Sequence, residues 1–260
     1  MLKDVQSEKD VRNVPLKHVG IRDLRWPIVL KDRNRGEQHT VANIALAVDL
    51  PRDLRGTHMS RFVQCLQTLE AVNLHSLEKI MDELKETLQA DSAYMKMEFP
   101  YFIRKTAPVS GLESLMDLDC VYTVQKGKKF DLTISVQIPI QTLCPCSKEI
   151  SEYGAHNQRA IASLEIKADD FVWIEELADM ADRAASAPVY GLLKRPDGKL
   201  VTEHAVAGPR GVEREQREIA RQPAAGASIT WYRATVESCE SIHNHNAFAT
   251  VEKGWNPDDL

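Results

Sequence analysis

Apolar and polar positions alternate along the first fifty residues as they do in a half-buried sheet. LKHVGIRDLRWPIVLKD reads as a strand with a kink at Pro27, and HTVANIALAVDL as a second strand with apolar side chains on every other position. RNRGEQ between them is a turn. The period then changes. In GTHMSRFVQCLQTLEAV, Phe62, Val63, Leu66 and Leu69 recur at helical spacing, and in SLEKIMDELKETL a stripe of Leu77, Ile80, Met81, Leu84 and Leu88 follows an N-cap candidate at Ser76. SAYMKMEFPYFIRKTAP and MDLDCVYTVQ return to strand period around the loop signal PVSG. The first half predicts the order ββααββ.

The second half repeats that order. KFDLTISVQIPIQTL and QRAIASLEIKAD read as strands, VWIEELADMADRAAS and a stretch from about Val201 to Gln222 as helices, and SITWYRATVES and HNAFATVEKG as strands. The repeat is one of element order, without a residue-by-residue match. Amphipathic helices on one face of antiparallel sheets give an α+β class. Two tandem ββααββ modules follow, residues 1–127 with a polar N-terminal tail and residues 128–260. The Lys126-Gly127-Lys128 turn marks the boundary, although it serves equally as a hairpin turn within one continuous sheet.

Composition narrows the class of partner. The chain of 260 residues carries a formal charge of -5, with 43% hydrophobic and 27% charged residues, which excludes a general affinity for nucleic acid. No apolar run approaches the roughly 20 residues of a membrane helix, and MLKDVQSEKD lacks a secretory apolar core, so a cytoplasmic protein without a membrane partner is expected. Cys65, Cys120, Cys144, Cys146 and Cys239 form an odd, scattered set that points to reduced thiols.

The densest chemistry lies in QTLCPCSKEISEYGAHNQRA. Pro145 favours an extended Cys144, so Cys144 and Cys146 are expected to face one side at a strand end. Ser147 is a candidate cap for a helical turn whose dipole would favour a thiolate at Cys146. His156 follows on a loop long enough to return beside a thiolate, and the mixed set suits Zn²⁺ or a similar ion. Small buried cysteines and a loop histidine bonded to backbone explain the same spacing as well. In ESCESIHNHNAFA, period-two spacing puts His243 and His245 on one face near Glu240, as proton carriers or as a polar turn. Lys194 and Arg195, ahead of a P-D-G turn, are solvated surface or a phosphate contact.

GTHMSRF, QTLCPCSKEIS with GAHNQR, LLKRPD with KLVTE, and ESIHNH together resemble the type IB GTP cyclohydrolases, in order and over most of the chain. The resemblance implies the tunnelling fold and a homotetramer with active sites at subunit interfaces. It also implies conversion of GTP and water to 7,8-dihydroneopterin triphosphate and formate, the first step of folate-type pterin synthesis. One divalent metal per site (Zn, Mn or Fe) is implied, with Cys144 and His156 matching family ligands and Cys146 lying beside them. Glu240 and His243 match further ligands or proton-transfer groups, and His245 is a helper. Glu213 aligns with the glutamate that anchors the guanine edge, and Lys194, Arg195, Arg61 and Arg159 are candidates for the triphosphate.

The resemblance breaks at one position. The family reads P-D-E-K, with the glutamate a metal ligand, where this chain has Pro196-Asp197-Gly198-Lys199. Asp197 or Glu203 would substitute, Glu240 and His243 would complete the sphere, or metal binding would be weaker; completion by Glu240 and His243 is the favoured expectation. Two alternatives to an active cyclohydrolase are a weakened paralogue that binds a nucleotide or pterin, and a tunnelling-fold nitrile reductase.

Overall fold

A computed structural model describes residue 6 and residues 10–69, 71–222 and 229–253. Ser228 and Gly254, at the ends of two expected strands, and most of the N-terminal tail lie outside the described residues. The element order is β1 (Leu16–Asp32), β2 (Gly36–Leu50), α1 (Met59–Leu66), α2 (Leu74–Leu88), β3 (Ala93–Thr106), β4 (Glu113–Lys126), β5 (Phe130–Leu143), α3 (Pro145–Ile150), β6 (Asn157–Ala168), α4 (Ile174–Ala184), β7 (Ala187–Pro188), α5 (Arg195–Ala207), α6 (Val212–Arg221), β8 (Ile229–Ser238) and β9 (Ala247–Glu252). The first six are the predicted ββααββ. The later elements keep that frame, with α3 and β7 added to it and the second expected helix divided into α5 and α6. The chain forms two compact units, Met1–Pro100 with Val121–Thr133, and Tyr101–Cys120 with Ile134–Leu260.

In the first unit β1, β2 and β3 pair antiparallel. Ala42, Ile44, Leu46, Val48 and Leu50 of β2 are buried at every second residue, as are Ala93, Met95, Met97 and Phe99 of β3. The apolar stripe of α2, Leu77, Ile80, Met81, Leu84 and Leu88, is buried as well. Matching a period of two to a period near 3.6 is what sets a helix on a sheet face. Two details differ from expectation. β1 stays paired through Pro27, opposite Val41, and its irregularities fall between Leu16 and Val19 and between Ile21 and Leu24, where Asp23 has φ 61°. A proline is tolerated where the missing N–H would point away from the neighbouring strand. Helix α2 is capped by Asn73, whose side chain accepts the Ser76 N–H at 2.9 Å, while the Ser76 hydroxyl accepts the Asn73 N–H at 3.0 Å. Ser76 is thus the return half of a capping box.

In the second unit the strands run β5-β6-β8-β9, all antiparallel, with β7 also pairing β5. The expected helix from Val201 to Gln222 is two helices, because Gly208-Pro209-Arg210-Gly211 interrupts it. Pro209 has no N–H to extend α5, and Gly211 begins α6 as its N-cap. Helix α5 starts earlier than expected, with Pro196 in its first turn.

Candidate active site

Strand pairing assembles the site. β5 and β6 set Leu143 opposite Asn157 and Thr142 opposite Gln158, so Cys144 leaves β5 where His156 enters β6. The Cys144 N–H donates to the His156 carbonyl at 3.2 Å. On the other edge of β6, Ala160 lies opposite Ser238, and the Cys239 N–H donates to the Arg159 carbonyl at 3.1 Å. Glu240 therefore emerges at the same end. Three strand ends thus bring together groups far apart in sequence.

Pro145 occupies the first turn of α3, and its N-cap is Cys144 in an extended conformation, with Sγ accepting the Ser147 N–H at 3.4 Å. The thiol is itself the cap that had been expected of Ser147. Burial pushes the Cys144 thiol up, but hydrogen bonds from the Ser147 N–H and hydroxyl, the Cys146 N–H and the His156 ring outweigh it and hold the thiol below its ordinary value. Cys65 and Cys120 behave oppositely, since burial leads and raises both thiols. Cys146 lies exposed inside the first helical turn. Two residues along a helix do not share a face, so the strand-like pairing expected for Cys144 and Cys146 is not what forms.

His156 and Glu240 are both mostly covered, their side chains 12% and 14% exposed, with Nδ1 of the ring 3.9 Å from Glu240 Oε2. The same Nδ1 lies 2.9 Å from Gln158 Oε1. The His243 ring stands at right angles to His156, centroids 6.4 Å apart, and stacks on His245 at 5.0 Å. His243 and His245 do share a face, although the segment is an exposed bend rather than a strand. A cleft of about 390 Å³, lined by His156, Ala155, Gly154, Tyr153 and Ser147, opens beside the cluster.

Other expected site residues are engaged elsewhere. Asp197 is fully buried, and its carboxylate accepts the Val109, Ser110 and Lys194 N–H groups at 2.8 Å and the Ser110 hydroxyl at 2.7 Å. Burial would raise its pKa, but these four donors hold it well below the usual carboxylate range. It is a structural anchor, so the expectation that it reaches a metal is corrected: no lone pair is left over. Arg61 donates to the Thr87 carbonyl at 3.0 Å in the last turn of α2, a helix-capping role within the first unit. Lys194, Arg195, Arg159 and Glu213 are exposed. A Cβ at Gly198 would meet nothing within 4 Å.

Three residues of interest were not expected. Gln158, two positions from His156 on β6, joins His156 to Glu240; strand periodicity was a signal for it. Glu215 and Gln216 occupy the buried stripe of α6 with Val212 and Ile219, where a helix normally places apolar residues. Glu215 accepts the Ser186 N–H at 3.1 Å, and its other oxygen has no hydrogen-bond partner among the described residues. Burial pushes Glu215 from 4.5 up to about 8, against the opposing Ser186 N–H and Arg210.

The donors fit a divalent ion in kind. A low-pKa thiol and an imidazole suit Zn²⁺, Fe²⁺ or Mn²⁺ in differing degree. Among the described residues no three His, Cys, Asp or Glu side chains converge closely enough to enclose an ion. Glu240 Oε2 lies 3.9 Å from the His156 ring, and the ring hydrogen-bonds with the Cys144 thiol.

Residues 2–249 match the family described as type I GTP cyclohydrolase folE2. The curated GTP cyclohydrolase FolE2 of Dictyoglomus turgidum is 52% identical over 254 residues, 98% of this chain and 99% of the relative. That of Thermotoga maritima is 52% identical over 253 residues, 97% and 98% of the two chains. Among solved structures, uricase from Arthrobacter globiformis superposes with a TM-score of 0.51 at 7% identity, covering 92% of this chain and 95% of that one. A uricase from Bacillus fastidious gives 0.50 at 10% identity, over 90% and 92%. The likeness to the uricases is one of fold, the tunnelling fold expected from the sequence.

Proposed function

This chain belongs to the type I GTP cyclohydrolase folE2 family, and we propose that it converts GTP and water to 7,8-dihydroneopterin triphosphate and formate at the cluster of Cys144, His156 and Glu240. The observation that carries the location is the N-cap thiol of Cys144 beside a covered His156 and Glu240 at the meeting of three strand ends.

The demanding step is attack on C8 of an aromatic purine, which needs a strong nucleophile at neutral pH. Cys144 and His156 would hold one divalent metal per site, and that metal would supply Lewis acidity, lowering the pKa of water toward about 7. Glu240 and His243 would complete the donor set or would take and return protons as the ring opens and formate leaves. His245, stacked on His243 and exposed, carries protons to solvent. Glu213 accepts two parallel N–H bonds from the guanine edge. Lys194, Arg195 and Arg159, all exposed, face the triphosphate. The functional form in this reading is a cytoplasmic homotetramer whose interfaces complete the sites. No helix among the described residues is long and apolar enough to cross a membrane.

The test uses purified protein stripped with chelator and reloaded separately with Zn²⁺, Mn²⁺ or Fe²⁺. Mixed with GTP, a loaded sample releases formate and a pterin that fluoresces after oxidation, and the stripped sample does not. GTP left intact by every loaded sample would refute the reading.

A further inference from the structure

The connector between α5 and α6 passes the end of β5, and Arg210 is fastened there by both main chain and side chain. Its carbonyl accepts the Leu143 N–H at 3.3 Å, one residue before Cys144. Its N–H donates to Ser186 Oγ at 2.9 Å, and the Ser186 hydroxyl donates back to the Arg210 carbonyl at 3.2 Å. The guanidinium reaches the last turn of α4, where one nitrogen donates to the Arg183 and Ala184 carbonyls at 2.8 and 2.7 Å. Beyond Arg210, the first turns of α6 are held by two buried polar side chains. Glu215 accepts the Ser186 N–H at 3.1 Å, and Gln216 Nε2 donates to the Ala234 carbonyl of β8 at 2.8 Å. Glu213 lies between these fastenings. Its carboxylate turns back over Gly211, with Oε2 3.2 Å from where a Cβ of residue 211 would stand, and Pro145 Cδ is 3.8 Å from the same point. Both groups border the bare face of Gly211, so the Glu213 carboxylate lies beside the residue that follows Cys144.

We propose that Arg210 is a positioning residue that fixes Glu213 against the Cys144 end of β5 and thereby sets how strictly the site selects a guanine base. A carboxylate accepts two parallel N–H bonds only when both oxygens are correctly placed, to within about 0.5 Å. Glu213 is exposed, so its placement depends on the backbone that carries it. Three residues earlier, Arg210 ties that backbone to β5 through Leu143 and to α4 through its guanidinium. Capping α4 would need the guanidinium alone. The main-chain bond to Leu143 is what turns the cap into a spacer between Cys144 and Glu213.

This deepens the reading of Glu213 as the guanine anchor and rests on it. The experiment measures binding of 7-deaza-GTP and 7-deaza-ITP to the full-length protein by titration calorimetry. Their five-membered ring lacks N7 and is not opened by hydrolysis, so affinity is read without turnover. The inosine analogue also lacks the 2-amino group that makes the second N–H bond. Wild type should prefer the guanine analogue by about 10-fold or more, the worth of one hydrogen bond to a charged acceptor. Glu213→Gln should erase most of that preference. Arg210→Ala and the milder Arg210→Gln, which is too short to bridge both carbonyls, should each reduce it to about 3-fold or less. A merely structural role would lower the fraction of protein able to bind and leave the ratio of the two affinities untouched. A wild-type ratio in Arg210→Gln overturns the inference, even if Arg210→Ala fails to fold, and leaves Glu213 as the anchor. Equal affinities in wild type, or a preference that survives Glu213→Gln, sink the anchor reading and the inference together.

Discussion

The backbone N–H of Cys144 donates to the carbonyl of His156 at 3.2 Å, which extends the β5–β6 ladder past the last paired residues of the two strands. The two proposed ligands are therefore registered to each other by main chain rather than by their side chains. Cys144→Ser and His156→Asn should leave the thermal midpoint nearly unchanged. Each should bind less metal and lose more than about 100-fold in kcat/KM, since even outer partners of a ligand are worth 10- to 100-fold. Metal analysis with a GTP assay checks both. Full activity in either variant would move the site elsewhere.

Gly198 stands in the first turns of α5 with open space around its Cβ direction. Gly198→Glu should fold normally and gain about 0.5–1 kcal/mol, from lower backbone entropy in the unfolded chain and a carboxylate near a helix N-terminus. It should also raise metal occupancy or turnover. Unchanged metal content and rate would show that this position does not limit the site.

Glu215 makes stability depend on pH in a direction opposite to an ordinary salt-bridged carboxylate. Its pKa rises from 4.5 to about 8 on folding because burial disfavours the charge. Between those values the folded state keeps a proton that the unfolded chain has released, so stability falls as pH rises through this window and levels off above it. Glu215→Gln keeps an acceptor for the Ser186 N–H and removes the titration. Urea unfolding from pH 5 to 8 should show a flatter profile in the variant, with a relative gain at pH 8 on the order of a few kcal/mol. Parallel profiles for the two proteins would contradict a buried, neutral Glu215.

Asp197 ties the β3–β4 turn, at Val109 and Ser110, to the start of α5. Its lowered pKa makes its contribution present above the unfolded value of 3.8 and lost as pH falls below it. Asp197→Ala should speed amide exchange at Val109, Ser110 and Lys194 by roughly tenfold or more. The Cys144 and His156 amides should exchange as before. Equal acceleration at all of these sites would mean that Asp197 supports the whole unit rather than one junction.

The expected helix through Val201–Gln222 shows where local pattern was outvoted: Gly208, Pro209 and Gly211 were visible, but a helical stripe on both sides hid the break between α5 and α6. Ser76 looks like a cap in the sequence because it precedes an apolar run, while Asn73 three residues earlier is the N-cap. Alternation and helical stripes by themselves determined the ββααββ order, the α+β class and the core of α2, because those depend on which side chains must leave water. The cluster motifs named Cys144 and His156. Only the tertiary structure decided that the Cys144 thiol caps α3, that Asp197 is committed to a hairpin, and that Gln158 bridges His156 to Glu240. Each of these depends on strand register and hydrogen bonds between segments far apart in the chain, and a hydrogen bond exists only at a distance and angle that no spacing in sequence encodes.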